Sequence, residues 1–160
     1  MRLYSVGYGN RSFEEFCNLV LNLKLTHVVD VRSVPYSSYQ TAFRRENLAE
    51  TLPRQGLKYV YMGDTLGGAT VRGLEEDAEA PTRLKLGLDK LAEAAANPSR
   101  HLCLMCGCLL PNECHRGLGL GAHLQAAGFD YWHVGREGEL FHHDNLVKLL
   151  TAQPNLFEAT

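Results

Sequence analysis

The chain has 160 residues, of which 45% are hydrophobic and 21% are charged, and its formal net charge is -2. These proportions are typical of a water-soluble globular protein of one domain. The small negative charge argues against nonspecific electrostatic binding of nucleic acid. No apolar run is long enough to span a bilayer, and the amino terminus reaches a glycine turn too early to hold a signal peptide. We therefore expect a cytoplasmic protein that does not associate with membranes.

The pattern of apolar residues predicts strands and helices that alternate along the chain. In order, we predict a strand at 2–7, a helix at 12–25, a strand at 26–31, a helix at 44–56, a strand at 57–62, a long loop at 63–81, a helix at 83–98, a strand at 101–106, a helix that runs to about Ala127, a strand at 130–135 and a helix at 143–152. The strands are apolar runs rather than alternating patterns, which indicates a parallel sheet covered on both faces. The fold class predicted is α/β: a single three-layer domain over residues 1–152, with a mainly parallel five-stranded sheet, helices on both faces and a frayed tail at 153–160.

Polar residues concentrate in the turns that follow the predicted strands. If the sheet is parallel, these turns meet at one edge, where open α/β sheets bind their ligands. The turns hold Gly7, Gly9, Asn10, Arg11, Asp30, Arg32, Ser33, Tyr36, Asp64, Gly67, Gly68, Arg72, Arg136 and the stretch 106–116. Because arginine suits bidentate binding of carboxylate and phosphate, we expect an anionic ligand at this edge.

The first turn, GYGNRS, resembles the start of a dinucleotide-binding fingerprint. Ser12 stands where the third glycine of that fingerprint belongs, and Asp30 is followed by Arg32 rather than by a distinctive ribose-binding pattern. We therefore do not expect a dinucleotide cofactor, although the amides of this turn could hold a phosphate.

Several segments resemble the family known as domain of unknown function 488. They are SVGYGNRSFEEF, VVDVRSVPYS, LKYVYMGDTLGG, LMCGCLLPNECHR and HLQAAGFDYWHV, and together they span roughly residues 3–134. The resemblance implies a small α/β domain. By position, it implies that the characteristic polar residues of the family are Arg11, Asp30, Arg32, Cys106, Cys114, His115 and Arg116 here. Residue 108, often glutamate in the family, is Cys108, and Leu109 and Leu110 stand at positions that are usually polar.

The stretch 104–121 gathers three of the five cysteines, and we weigh three interpretations of it. Cys106, Cys108, Cys114 and His115 have the number and softness of donors for a closed zinc site, or for iron on thiolates. Against a metal, we expect Cys106 to end a strand and Cys114 and His115 to lie side by side in a first helical turn, about 100° apart, so that they do not face one ion. Another interpretation is that these cysteines are buried in the core without chemistry, and the remaining one is a reactive thiol.

The thiol interpretation uses a predicted helix start at PNECHR, with Asn112 as its cap. A helix amino terminus and Arg116 both lower the pKa of a nearby thiol and favour anions. We therefore predict Cys114 or Cys106 as nucleophile or redox centre, and His115 as proton carrier.

The resulting prediction is a cytoplasmic enzyme with a thiol-containing active site that acts on an anionic small molecule such as a nucleotide or modified base. Its predicted catalytic residues are Cys114, Cys106, Asp30 and His115, and its predicted anion ligands are Arg11, Arg32, Arg116, Ser33, Gly67 and Gly68. The alternatives are a zinc or iron protein that uses Cys106, Cys108, Cys114 and His115, and a non-catalytic module that binds a nucleotide or nucleic acid.

Overall fold

A computed structural model describes residues 1–151 as one α/β unit built on a central sheet. Its strands are β1 (Arg2–Gly7), β2 (His27–Asp30), β3 (Lys58–Tyr61), β4 (Leu102–Cys106), β5 (Asp130–Val134) and β6 (Leu140–His142). They pair in the order β3-β2-β4-β1-β5-β6, and every pair is parallel except β5 with β6. The predicted α/β class and mainly parallel sheet are confirmed. The prediction of five strands missed β6, and the predicted tail at 153–160 lies outside the described residues.

Eight α-helices connect and follow the strands in this part of the chain. They are α1 (Phe13–Asn22), α2 (Arg45–Arg54), α3 (Gly63–Leu66), α4 (Gly68–Arg72), α5 (Ala80–Ala95), α6 (His115–Leu118), α7 (Leu120–Ala126) and α8 (His143–Thr151). Ser12 caps α1 through a capping box with Glu15. The predicted loop at 63–81 is partly wrong because it contains the short helices α3 and α4. The single helix predicted after β4 is two short helices that meet at Gly119.

The core has two halves, one on each face of the sheet. One half packs α1 and α2 through Phe16, Val20, Leu48 and Leu52 against β-strand residues such as Met105. The other packs α3, α5 and α7 against the opposite face through Leu66, Leu84, Leu91, Leu120 and Leu124. Alternate residues of β4 serve the two halves, since Cys103 and Met105 belong to the first and Leu102, Leu104 and Cys106 to the second. This arrangement gives the predicted three layers.

Within residues 1–151, no helix has the length and apolar character that a membrane crossing requires.

A chain of buried polar groups crosses the sheet beneath its carboxyl edge. The Arg116 Nε donates to Ser5 Oγ at 3.3 Å, Ser5 Oγ lies 2.7 Å from His133 Nδ1, and His133 Nε2 lies 2.9 Å from His143 Nδ1. Because arginine only donates, the hydroxyl proton of Ser5 is free to point at His133, which then donates from Nε2 to His143. Gly121 is required beside this chain, since a Cβ there would lie 2.1 Å from the His143 ring.

Burial lowers the pKa values of both histidines, that of His133 to about 3, so both rings are neutral at pH 7. The unfolded chain takes up their protons near pH 6.5, whereas the folded chain does not. We therefore expect the free energy of unfolding to fall as the pH falls below 6.5, by about 2 kcal/mol from His133 alone by pH 5.

Urea unfolding at pH 7.5 and 5.0 measures this loss. His133→Gln removes the titrating group and should make the stability less dependent on pH, whatever its effect on absolute stability. His101→Gln, which changes an exposed histidine, serves as the control and should keep the wild-type dependence. An unchanged pH dependence in His133→Gln would contradict the assignment.

Candidate functional site

The candidate site lies where β4 ends between its two parallel neighbours. β4 pairs with β1, with Cys106 opposite Gly7, and with β2, with Met105 opposite Asp30. The chain leaves β1 and β2 toward the α1 and α2 face, whereas it leaves β4 toward the α7 face. Diverging connections of this kind open a crevice at the carboxyl ends of the strands.

The loop after β4 is held in place by Arg116. The Arg116 guanidinium has no exposed surface and donates to the carbonyl oxygens of Cys108 at 2.8 Å and Leu109 at 3.0 Å. A glycine is required at position 7 because a Cβ there would lie 1.8 Å from the carbonyl oxygen of Cys108. The loop is therefore fixed against the end of β1, and Cys106 with it.

The segment that brings the chain back to the end of β4 reaches it through an extended residue, Cys114, rather than through a helix. Pro111–Glu113 forms a 3-10 turn, Cys114 is extended with φ -138° and ψ 143°, and His115 is the first residue of α6. The predicted cap at Asn112 is therefore wrong. So is the expectation that Cys114 and His115 diverge, because an extended residue before a helix does not follow the helical rotation of 100° per residue. His115 Nδ1 lies 3.7 Å from Cys114 Sγ and 3.9 Å from Cys106 Sγ.

The surroundings of the two buried thiols shift their pKa values in opposite directions. A hydrogen bond from Cys106 is the largest cause that lowers the pKa of Cys114, and His115 and the positive charge of Arg116 add to it. The same hydrogen bond, together with burial, raises the pKa of Cys106. The directions of these shifts favour ionisation of Cys114 over ionisation of Cys106.

The other cysteines differ in their surroundings. Burial raises the pKa of Cys17 to about 11 and that of Cys103 to about 12, as expected for core thiols without chemistry. Cys108 is exposed at the edge of the site, and its pKa is raised by burial of part of the side chain and by the neighbouring Cys114.

A cavity of about 390 Å³ opens onto the thiols. Its wall combines the sulfur and imidazole groups with arginine, tyrosine and glycine from the turns after β1, β2 and β3. The lining residues are Tyr8, Arg32, Ser33, Val34, Tyr36, Gly68, Arg72, Cys106, Gly107, Cys108, Glu113, Cys114 and His115. The turns therefore do converge at one edge, as the parallel sheet requires.

Asp30 and Arg32 form a buried ion pair at the back of this cavity. Arg32 donates to the Asp30 carboxylate from Nε at 2.9 Å and from a terminal nitrogen at 2.6 Å, and the Tyr59 hydroxyl donates to it at 2.7 Å. Asp30 has no exposed surface, while Arg32 retains 6% and also donates to the Tyr8 hydroxyl at 3.2 Å. The acid or base role of Asp30 stays a prediction, and this geometry favours a role in positioning Arg32.

Two predicted anion ligands are turned away from the cavity. Arg11 donates to the carbonyl oxygens of Gly7, Gly135 and Arg136, and it joins the ends of β1 and β5. Arg116 supports the loop after β4 from beneath. Their role as direct anion ligands stays a prediction, and their guanidinium groups bond to backbone carbonyls instead of facing the cavity.

The turn after β3 carries the most accessible cation of the site. The Arg72 guanidinium lies over Gly68, where a Cβ would be 3.0 Å from one of its nitrogens. Within residues 1–151 no carboxylate forms an ion pair with Arg72. Ser33 Oγ accepts from the Ala69 amide at 2.8 Å and anchors this turn to the one after β2. Gly67 packs against Gly63 and Ser33, and it supports the turn without lining the cavity.

The donors of the predicted metal site partly fit a metal ion. Donor atoms of Cys106, Cys114 and His115 all lie within 4.8 Å of one another. The ligands of one tetrahedral zinc lie roughly 3.5–3.8 Å apart, close to the sulfur–nitrogen distances found here. Two observations fit less well. Cys108 stands outside this group, and the buried His115 Nε2 has no hydrogen-bond partner among the described residues, although metal-bound imidazoles usually donate from their second nitrogen.

Sequence reasoning did not select Tyr8, Tyr36 or Arg72 as site residues. Arg72 and Tyr36 were placed at the edge by their position after strands, but neither carries a motif that separates it from surface residues. Tyr8 stacks on Phe43 with ring centroids 4.0 Å apart, a contact between distant segments that sequence spacing does not encode.

Comparison with protein families gives one match, in which the family model Domain of unknown function DUF488 covers residues 12–118. Neither the curated proteins nor the solved structures include a significant match to this chain.

The ion pair of Asp30 and Arg32 yields a test of the positioning role. Asp30→Asn leaves Arg32 buried without its counter-charge, so we expect the free energy of unfolding to fall by about 3 kcal/mol. Asp64→Asn changes an exposed carboxylate in the next turn and should cost less than about 0.5 kcal/mol. Urea unfolding at pH 7 measures both. A loss below about 0.5 kcal/mol for Asp30→Asn would show that the pair does not stabilise this edge.

Proposed function

This chain belongs to the family Domain of unknown function DUF488, and we propose that it is an enzyme in which the Cys114 thiolate attacks an anionic small molecule. The observation that carries the proposal is the meeting of a thiolate with an uncompensated cation in one cavity. Cys114 and Arg72 line the same space, and they come from the segments after β4 and β3. A thiolate is a strong nucleophile, and a free guanidinium attracts carboxylate or phosphate.

Each neighbour of Cys114 has a distinct part in the proposed reaction. Cys106 stabilises the thiolate by donating a hydrogen bond. His115 Nδ1, 3.7 Å from Cys114 Sγ, can give a proton to the departing group or accept one. Arg116 lies behind the loop and favours the negative charge on sulfur without touching the substrate.

The covalent step is a substitution at an electrophilic atom of the substrate. The Cys114 sulfur forms a bond to that atom, the bond to the leaving group breaks, and the leaving group departs with the electron pair and a proton from His115. Arg72 and the remaining donors of Arg32 hold the anionic part of the substrate at the opposite wall.

The aromatic side chains at the mouth favour a substrate with a ring, such as a nucleotide or modified base. Tyr36 lines the cavity, is 56% exposed, and has its other face covered by Arg44, whose guanidinium carbon lies 4.5 Å from the ring centroid. A ring already stacked on one side offers its free side to a planar group. A cytoplasmic location and the expectation that the net charge does not favour nucleic acid as a partner remain predictions from composition, and five free cysteines agree with a reducing compartment.

Alkylation with two reagents tests the thiolate and the cation together. Iodoacetate and iodoacetamide both transfer a carbon to sulfur and expel iodide, but only iodoacetate is an anion. We expect alkylation of Cys114 to be nearly independent of pH between 6 and 8, whereas an ordinary thiol slows about tenfold per pH unit. We also expect Arg72→Gln to lower the ratio of iodoacetate to iodoacetamide rates by about threefold. Mass spectrometry of peptides follows the label.

The control for charge is Arg136→Gln, which removes an exposed arginine that lines a different cavity near Glu15. It should leave the ratio of the two rates unchanged. If Cys114 is labelled no faster than free glutathione at pH 6, the proposed nucleophile is wrong. If Arg72→Gln leaves the ratio unchanged, the proposed anion site is wrong.

A metal centre is the second candidate function, and the convergence of Cys106, Cys114 and His115 favours it. Zinc or iron held there would act as a Lewis acid or as a structural brace. The residues that would hold it are these three, with Cys108 as a fourth donor after a loop movement.

Metal analysis of protein purified without chelator separates the two candidates. Under the thiolate proposal we expect zinc and iron well below one equivalent, and alkylation rates that do not change after treatment with a chelator. One equivalent of metal that is lost in Cys114→Ser and retained in Cys103→Ser would establish the metal centre instead.

A further inference from the structure

The candidate site contains more thiol chemistry than a single nucleophile needs. Cys106 Sγ lies within 4.8 Å of Cys114 Sγ, both side chains are more than nine-tenths buried, and both cysteines are free. The substitution proposed above uses only the sulfur of Cys114 and would proceed with any hydrogen-bond donor beside it. A serine would serve as that donor, so the presence of a second sulfur is a separate observation.

We propose that Cys106 and Cys114 form a dithiol–disulfide couple whose substrate is a small anionic disulfide. The inference rests on the proposed function, since it uses Cys114 as the nucleophile and Arg72 as the anion ligand. It keeps the anionic charge of the substrate but names a disulfide in place of the nucleotide or modified base, and it adds the fate of the covalent intermediate. Carboxylates of the disulfide would meet Arg72 at the wall of the cavity, and one of its sulfur atoms would meet Cys114.

The reaction proceeds in two balanced substitutions. The Cys114 thiolate attacks one sulfur of the small disulfide, a mixed disulfide forms, and the first small thiol leaves as a thiolate that takes a proton from His115 or solvent. Cys106 then gives its proton to His115, 3.9 Å away, and attacks the Cys114 sulfur. The bond to the second small thiol breaks, that thiol leaves with the proton, and a Cys106–Cys114 disulfide remains. Two electrons pass from the protein to the substrate.

The geometry selects Cys106 rather than Cys108 as the second thiol. Thiol–disulfide exchange needs an attacking sulfur that approaches opposite the departing one. A substrate bound to Cys114 must extend into the cavity, because the rest of Cys114 is packed in the core with Leu120 and Leu124. Cys106 belongs to the same buried cluster, whereas Cys108 is exposed at the cavity edge. Attack from the buried side therefore comes from Cys106.

Single-turnover reaction of the whole protein with glutathione disulfide tests the couple. With wild type and with Cys108→Ser we expect two equivalents of glutathione to be released and an internal disulfide between Cys106 and Cys114, identified by mass spectrometry without reduction. With Cys106→Ser we expect one equivalent to be released and one glutathione to stay on Cys114. With Cys114→Ser we expect no fast release. Circular dichroism checks that Cys106→Ser is folded. Cys106→Ala provides a second substitution at the same buried position.

A comparison with cystamine, a cationic disulfide, tests the substrate class. Arg72→Gln should lower the ratio of glutathione disulfide to cystamine rates by about threefold, and Arg136→Gln should leave it unchanged. An internal disulfide in Cys106→Ser, or a stable mixed disulfide in wild type, would overturn the couple. If Cys114 is alkylated with the expected charge preference but no internal disulfide forms, only this inference fails. If Cys114 reacts with neither reagent, the proposed function fails as well.

Discussion

The buried guanidinium of Arg116 is the group on which the rest of the site depends. It carries a positive charge with no exposed surface, and no carboxylate among the described residues pairs with it. Such a charge costs several kcal/mol unless dipoles or an anion compensate it. The carbonyl oxygens of Cys108 and Leu109 supply the dipoles, and the Cys114 thiolate supplies the anion. One side chain therefore fixes the loop after β4 and favours the ionised form of Cys114.

The fold was predictable to the extent that apolar periodicity determines it. Apolar strand runs and helical repeats identified β1 to β5 and the long helices, because burial on two faces leaves a pattern in the sequence. β6 was missed because three residues are too few to show a period. The short helices α3 and α4 were missed for the same reason, and because the glycines of this segment are typical of a loop. At the break between α6 and α7, a Cβ on Gly119 would lie 2.3 Å from the Val71 side chain, a contact between distant segments that only the folded chain creates.

The position of the site was more predictable than its geometry. The rule for carboxyl ends of parallel strands brought Cys106, Arg32 and Arg72 to one edge, and the cavity confirms that convergence. The separation of Cys114 from His115 was predicted wrongly because a helix start at Asn112 was assumed. The 3-10 turn that delays the helix lies against Gly117, where a Cβ would be 2.2 Å from the Pro111 carbonyl oxygen. Nothing in the local sequence separates the two helix starts.

Under the proposed function, the balance of charge in the site assigns the preference for an anionic ligand to a single exposed arginine. Asp30 neutralises Arg32, and the Cys114 thiolate neutralises Arg116, so both buried cations are already compensated. Arg11 is bound to carbonyl oxygens outside the cavity. Arg72 is then the cation of the lining whose charge is left for a ligand, and its guanidinium lies on Gly68 with no side chain in between. In the proposed enzyme, the buried arginines support the structure and charge of the thiol site, and the exposed Arg72 selects the anionic ligand.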